Sequence, residues 1–110
     1  MWSDRQATLG LVLLLTLAIP VMSAEPTAER QRELVRLVRQ DCGSCHGMTL
    51  AGGLGPPLLP EVLRERTAPA LVQTVLHGRP GTPMPPWQRF LSDAEAQWIV
   101  ERLVEGFPEQ

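Results

Sequence analysis

The chain contains no lysine and no tyrosine. All ten basic side chains are therefore arginine, and any electrostatic docking has to run through guanidinium groups. The formal charge is only −2 and no basic stripe stands out, so nucleic acid is not an expected partner. β-Branched runs are scarce, whereas leucine, alanine, arginine and glutamate are common, a balance that favours helix over strand. Cysteine is confined to Cys42 and Cys45. The N-terminal apolar stretch, Ala7 to Ile19, is shorter than the ~20 residues that a membrane-crossing helix needs. With 110 residues, the chain has room for one domain.

The same apolar stretch has the order of a secretory signal peptide. Arg5, partly offset by Asp4, closes a short polar region, Pro20 breaks the apolar run, and the small residues Ser23 and Ala24 follow. Cleavage is expected after Ala24, with Ser23 as the alternative, and an uncleaved anchor is the competing reading. The expected division is residues 1–24 as signal peptide and residues 25–110 as the mature domain. A domain that small buries limited apolar area and usually needs a staple.

The staple is visible at Cys42-Gly43-Ser44-Cys45-His46. This C-x-x-C-H sequence reads as covalent attachment of a c-type haem. One turn of helix ending at Cys45 turns both thiols to the side where the two vinyl groups of a haem can be reached, and His46 follows as the proximal iron ligand. Three other readings compete. A redox disulfide of the C-x-x-C kind calls for a βαβ pattern, and no strand-like run surrounds the motif. A zinc site built on Cys42, Cys45 and one or both of His46 and His77 lacks a second ligand pair. A merely structural turn would leave two free thiols in an oxidising compartment.

Around the motif the pattern is helical. Leu34, Leu37, Val38 and Asp41 follow the i, i+3, i+4, i+7 spacing, with Val35 beside them, and predict a helix from Glu29 to about Asp41. Arg30, Arg32, Arg36 and Arg39 lie mainly off that stripe, as a solvated face or as a docking patch for an acidic partner. Glu33 and Arg36 have the spacing of a favourable helical pair. Gly47, Gly52, Gly53 and Gly55 make a loop able to lie close to a flat ring. A short helical piece is expected over Glu61–Arg66 and a clearer one over Thr67–Leu76, capped by Thr67 and stopped at Gly78. His77 stands at that helix end, as a capping residue or as the second ligand of a bis-histidine haem. Ser92-Asp93-Ala94-Glu95 is a capping box that opens a last helix, Asp93 to Glu105, stopped by Gly106 and Pro108.

Between these helices lies a proline-rich loop, Gly78 to Trp87, that carries Met84. A thioether is a soft, neutral ligand; opposite a histidine it favours Fe(II) and raises the potential. Pro83 and Pro85 restrict the backbone on both sides. The alternative is that Met84 fills a gap in the core. Met48 is too near His46 in sequence to reach the opposite face of one iron. Trp87 can donate to a haem propionate or simply cap the pocket. Arg79 can pair with a propionate or stay solvated.

From Glu29 to Leu103 the order of helix, C-x-x-C-H, Gly55-Pro56-Pro57-Leu58, methionine loop and final helix resembles the class I cytochromes c. The resemblance implies an all-α fold, three to four helices wrapped around one covalent haem. It implies that the Pro56 carbonyl accepts a hydrogen bond from the proximal histidine, which would fix the tautomer, and that Leu58 lies on the haem wall; a rigid Pro-Pro turn is the plainer reading of Pro56. It places Trp98 where the last helix crosses the first. It also implies export, because c-type haem is attached outside the cytoplasm in bacteria. Cys42–Leu50, Gly52–Pro56 and Leu76–Trp87 resemble, more narrowly, the small NirC-type monohaem cytochromes, a family associated with the nitrite reductase that carries haems c and d. That implies a periplasmic one-electron carrier, expected to be a monomer without catalytic activity of its own, serving redox partners in denitrification, nitrite reductase among them. The other role open to this family is as an accessory in maturation of the reductase's special haem.

Overall fold

Thr27 opens the first helix: its hydroxyl accepts the Arg30 N–H at 3.2 Å, and α1 runs Ala28–Leu37. This computed structural model describes residues 25–109 and Ala18, so the expected signal peptide lies, Ala18 apart, outside the described residues. Leu34 and Val38 are fully buried, but Asp41, assigned by spacing to the same stripe, is exposed. The reason is a change of helix type. Val38–Cys42 forms a π-helical turn, in which the Gly43 N–H reaches the Val38 carbonyl, and the α phase does not continue to Asp41. A short α2, Gly43–His46, follows directly, so the first helical rod is longer than the Glu29–Asp41 segment expected from spacing.

The remaining elements are α3, Pro60–Leu63, α4, Ala68–His77, and α5, Asp93–Glu105. The piece expected over Glu61–Arg66 shortens to α3, which begins at Pro60, where a fixed φ suits the first turn. Thr67 caps α4 by accepting the Ala70 N–H at 3.3 Å. Ser92 and Glu95 form the complete capping box of α5. The described residues contain no strand. With Ala28–His46 taken as one rod the fold is all-α, with four helical pieces among the described residues packed on one another. No helix among the described residues is long and apolar enough to cross a membrane.

Leu34 and Val38 of the first rod share one apolar cluster with Trp98, Ile99 and Leu103 of α5 and with Leu50, Leu63 and Leu91. Each such side chain contributes about 1.5–3 kcal/mol by leaving water. Polar ties hold the rod and α5 together at both ends. Arg30 makes a bidentate pair with Glu95, Nε to Oε1 at 2.9 Å and Nη2 to Oε2 at 3.1 Å. It also binds Glu33 at 2.8 Å, so Glu33 turns to Arg30 rather than to Arg36. At the other end the Arg39 guanidinium lies 5.5 Å from the Phe107 ring centroid and donates to the carbonyls of Phe107 and Pro108 at 3.0 and 2.9 Å. Trp98, on the inner side of α5, is covered by Arg102, 5.7 Å from its ring centroid.

The Arg30 hydrogen bonds hold the Glu95 carboxyl below the usual carboxylate range, and the Ser92 N–H adds to the effect. A depressed folded-state pKa gives stability that is complete above the unfolded value of about 4.3 and is lost as pH falls through the folded value. Glu95→Gln leaves one oxygen for the capping box, which accepts Glu or Gln, but replaces the other with an NH2 donor, so it removes the charge and breaks the bidentate pair with Arg30. It is expected to cost on the order of 1 kcal/mol at neutral pH. Urea unfolding at stepped pH should show the gap to the parent protein closing below about pH 4.

Candidate cofactor site

The end of α2 leaves carbonyls without helical partners, and the glycine loop supplies them. Gly55 N–H donates to the Cys45 carbonyl at 2.7 Å and Gly52 N–H to the His46 carbonyl at 2.8 Å. Folded back in this way, the loop lays Gly55 flat against the His46 ring: a Cβ at this position would sit 2.7 Å from both Cε1 and Nδ1. The next residue completes the contact, His46 Nδ1 lying 2.7 Å from the Pro56 carbonyl oxygen. A carbonyl only accepts, so Nδ1 carries the hydrogen and Nε2 keeps its lone pair for a ligand. Leu50 takes a left-handed φ of 61°, rare outside glycine. It is held there by burial and by the Leu58 N–H, which donates to its carbonyl at 2.8 Å.

The methionine loop is built by the same logic at the end of α4. The carbonyls of Thr74, Val75 and Leu76 accept the N–H groups of Gly78, Trp87 and Gln88 at 2.9, 3.0 and 3.2 Å. The chain leaves the helix at Gly78 (φ 70°) and returns at Trp87 to close the same helix end. Met84 hangs between.

The two loops face one cleft of about 590 Å³. It is lined by Cys42, Cys45, His46, Pro56, Leu58, Arg79, Met84 and Trp87, so all eight residues singled out in the sequence come together. Leu63, Leu71, Val75, Ile99 and Leu103 form the apolar walls. His77 is exposed and lies outside the cleft, which removes the bis-histidine reading, and Met48 is 67 % exposed and likewise outside. Sequence reasoning missed Arg66 and Thr82 on the rim and the packing of Gly55 on the histidine. Nothing in residue type marks the first two; the third has a signal in the glycine that precedes Pro56.

Burial, and next the charge of Asp41, pushes the Cys42 thiol up to about 11. A redox C-x-x-C depends on a depressed thiol pKa, so Cys42 has the opposite character. Among the described residues no group of three or more His, Cys, Asp and Glu is placed to hold a metal ion, and a zinc site lacks its ligands. The donor set suits a covalent haem instead: two free thiols, an imidazole with Nε2 available, and a soft thioether, all in one apolar cleft.

Helices packed around a cleft into which a C-x-x-C-H turn opens define a c-type cytochrome, a class that carries covalently bound haem c. The comparisons agree. The family described as "Cytochrome C oxidase, cbb3-type, subunit III" matches residues 29–101. Cytochrome c55X of Pseudomonas aeruginosa is 54% identical over 89% of this chain and 85% of its own. Cytochrome c55X of Stutzerimonas stutzeri is 48% identical over 91% and 89%. A solved structure, "c-type cytochrome NirC", superposes with a TM-score of 0.73 at 58% identity, covering 74% of this chain and 96% of that one. The chain belongs to the cytochrome c55X family, the NirC-type c-type cytochromes. It also resembles a part of dihydro-heme d1 dehydrogenase of Pseudomonas aeruginosa, 36% identical over 93% of this chain but only 20% of that protein.

Proposed function

We propose that this chain is a periplasmic one-electron carrier of the nitrite reductase system, released as residues 25–110 after signal cleavage, with one haem c held by thioether bonds from Cys42 and Cys45 and by His46 and Met84 as axial ligands. A haem c so bound supplies a reversible Fe(III)/Fe(II) couple. The observation that carries the reading is the arrival of Met84, from the α4–α5 loop, in the cleft that His46 enters from the first rod. With an imidazole and a thioether committed, no axial position is left for a substrate, and the protein acts as a carrier rather than an enzyme. The apolar walls exclude water, and Arg79 and Trp87 serve the propionates. Leu54, Val62 and Cys45 leave an exposed apolar rim beside the cleft, suited to the small, brief contacts of redox encounters.

Met84→Ala tests the ligation. The reduced parent protein should not take up carbon monoxide, whereas Met84→Ala should bind it readily and lose the sulfur-to-iron charge-transfer band of the ferric form. A parent protein that binds carbon monoxide as well as the variant would refute the carrier reading.

The likeness to dihydro-heme d1 dehydrogenase, also solved as NirN in complex with DHE (TM-score 0.61, 40% identity, 68% of this chain, 16% of that one), supports a second reading, an accessory haem protein in maturation of the reductase's special haem. Timing electron transfer from this protein, reduced, to purified nitrite reductase separates the two. Transfer on the turnover timescale supports the carrier; its absence supports the accessory.

A further inference from the structure

The loop that carries Met84 is closed by one side chain. The Thr82 hydroxyl donates to the Arg79 carbonyl at 2.7 Å and accepts the Met84 N–H at 3.3 Å. The Thr82 backbone N–H donates to the same Arg79 carbonyl at 3.1 Å, and the Arg79 N–H donates to the Met84 carbonyl at 3.2 Å. Both backbone polar groups of Met84 are therefore engaged inside the six-residue loop, and the hydroxyl bridges its two arms. The foot of the loop is tight: a Cβ at Gly78 would sit 2.6 Å from the Met84 carbonyl oxygen. The tip is open, with nothing within 4 Å of a Cβ at Gly81. Pro83 and Pro85, on either side of Met84, offer no N–H to replace these bonds.

We infer that Thr82 is the positioning residue for Met84: its hydroxyl holds the loop in the conformation that presents the thioether to the cleft, and so sets how readily the sulfur gives way to a competing ligand. The inference rests on the reading of Met84 as an axial ligand. It makes Thr82, exposed on the rim of the cleft, a determinant of the closed state of the distal position. The hydroxyl supplies two of the four hydrogen bonds that close the loop, so removing it shifts the balance toward an open loop.

The test is titration of the ferric holoprotein with imidazole, which must displace the sulfur to bind. Thr82→Val keeps shape and loses the hydroxyl; it should bind imidazole about tenfold more tightly than the parent protein, the scale of a lost hydrogen bond or two. Thr82→Ser restores the hydroxyl and should return within about twofold. Hydrogen exchange at the Met84 amide should quicken in Thr82→Val and not in Thr82→Ser. Met84→Ala is the control for the underlying reading and should bind imidazole without competition. If Thr82→Val titrates and exchanges like the parent while Met84→Ala does not, Thr82 has no positioning role and the ligation stands. If Met84→Ala titrates like the parent, Met84 is not a ligand and the inference falls with it.

Discussion

A chain carrying both Cys42→Ala and Cys45→Ala is expected to be recovered colourless, at the mass of the bare processed polypeptide, and without a cooperative unfolding transition. The substitutions remove two sulfur atoms, yet the consequence is large because the cleft lies in the middle of the core. Its walls, Ile99 and Leu103 among them, belong to the cluster that joins the first rod to α5. A chain that never acquires a filler must wet those walls or collapse onto them. Five wall side chains, Leu63, Leu71, Val75, Ile99 and Leu103, left in water would together forfeit on the order of 10 kcal/mol of apolar burial. That rivals the whole stability of a typical domain, ~5–15 kcal/mol. Mass spectrometry and urea unfolding followed by circular dichroism decide the matter. A double variant unfolding cooperatively near the parent midpoint would show that the helices pack without their cofactor.

The second large effect is expected at Gly55. An alanine there would bring its Cβ to 2.7 Å from two atoms of the His46 ring and 3.2 Å from a third. Backbone and imidazole are both firm, so either the ring tilts out of its bond to Pro56 or the Gly47–Pro56 loop moves. Overpacking costs about 1–3 kcal/mol and a lost hydrogen bond about 0.5–1.5, which together predict a loss of about 2–4 kcal/mol for Gly55→Ala. Gly81→Ala is the contrast: its φ of 78° is a glycine conformation, but nothing lies within 4 Å of a Cβ there. It should cost about 1 kcal/mol, backbone strain alone. Denaturant midpoints of the two variants, measured side by side, test whether contact with the histidine makes the difference.

The cleft's chemistry was legible in the sequence because most of it is local. Five consecutive residues spell the attachment site, and Met84 stands out because proline flanks it and Met48 lies too close to His46. Helix starts were legible at the caps Thr67 and Ser92, but not at Thr27, which caps α1 in the same way although the apolar stripe put the start of that helix at Glu29. What else could not be read depends on distance or on a change of hydrogen-bond pattern. Arg30 has helix neighbours of opposite charge, but its bidentate partner Glu95 lies 65 positions away, and no local spacing announces it. The stripe through Leu34 and Val38 runs on to Asp41 with no residue type to mark the shift to π geometry. Arg66 and Thr82 reach the rim only once their loops close, so their roles follow from the fold rather than from their neighbours in sequence.

That π turn sets the orientation of the attachment site. In an α-helix each residue advances the chain by ~100°, so a turn that accommodates one residue more resets the compass bearing of everything after it. Leu34, before the turn, and Val38, its first residue, pack in the cluster with α5; Cys42, its last residue, and Cys45 and His46 beyond it line the cleft, and the two bearings are decoupled. A five-residue attachment sequence transplanted into an uninterrupted helix would inherit the wrong azimuth, and a designer borrowing it would need to take the swollen turn along with it.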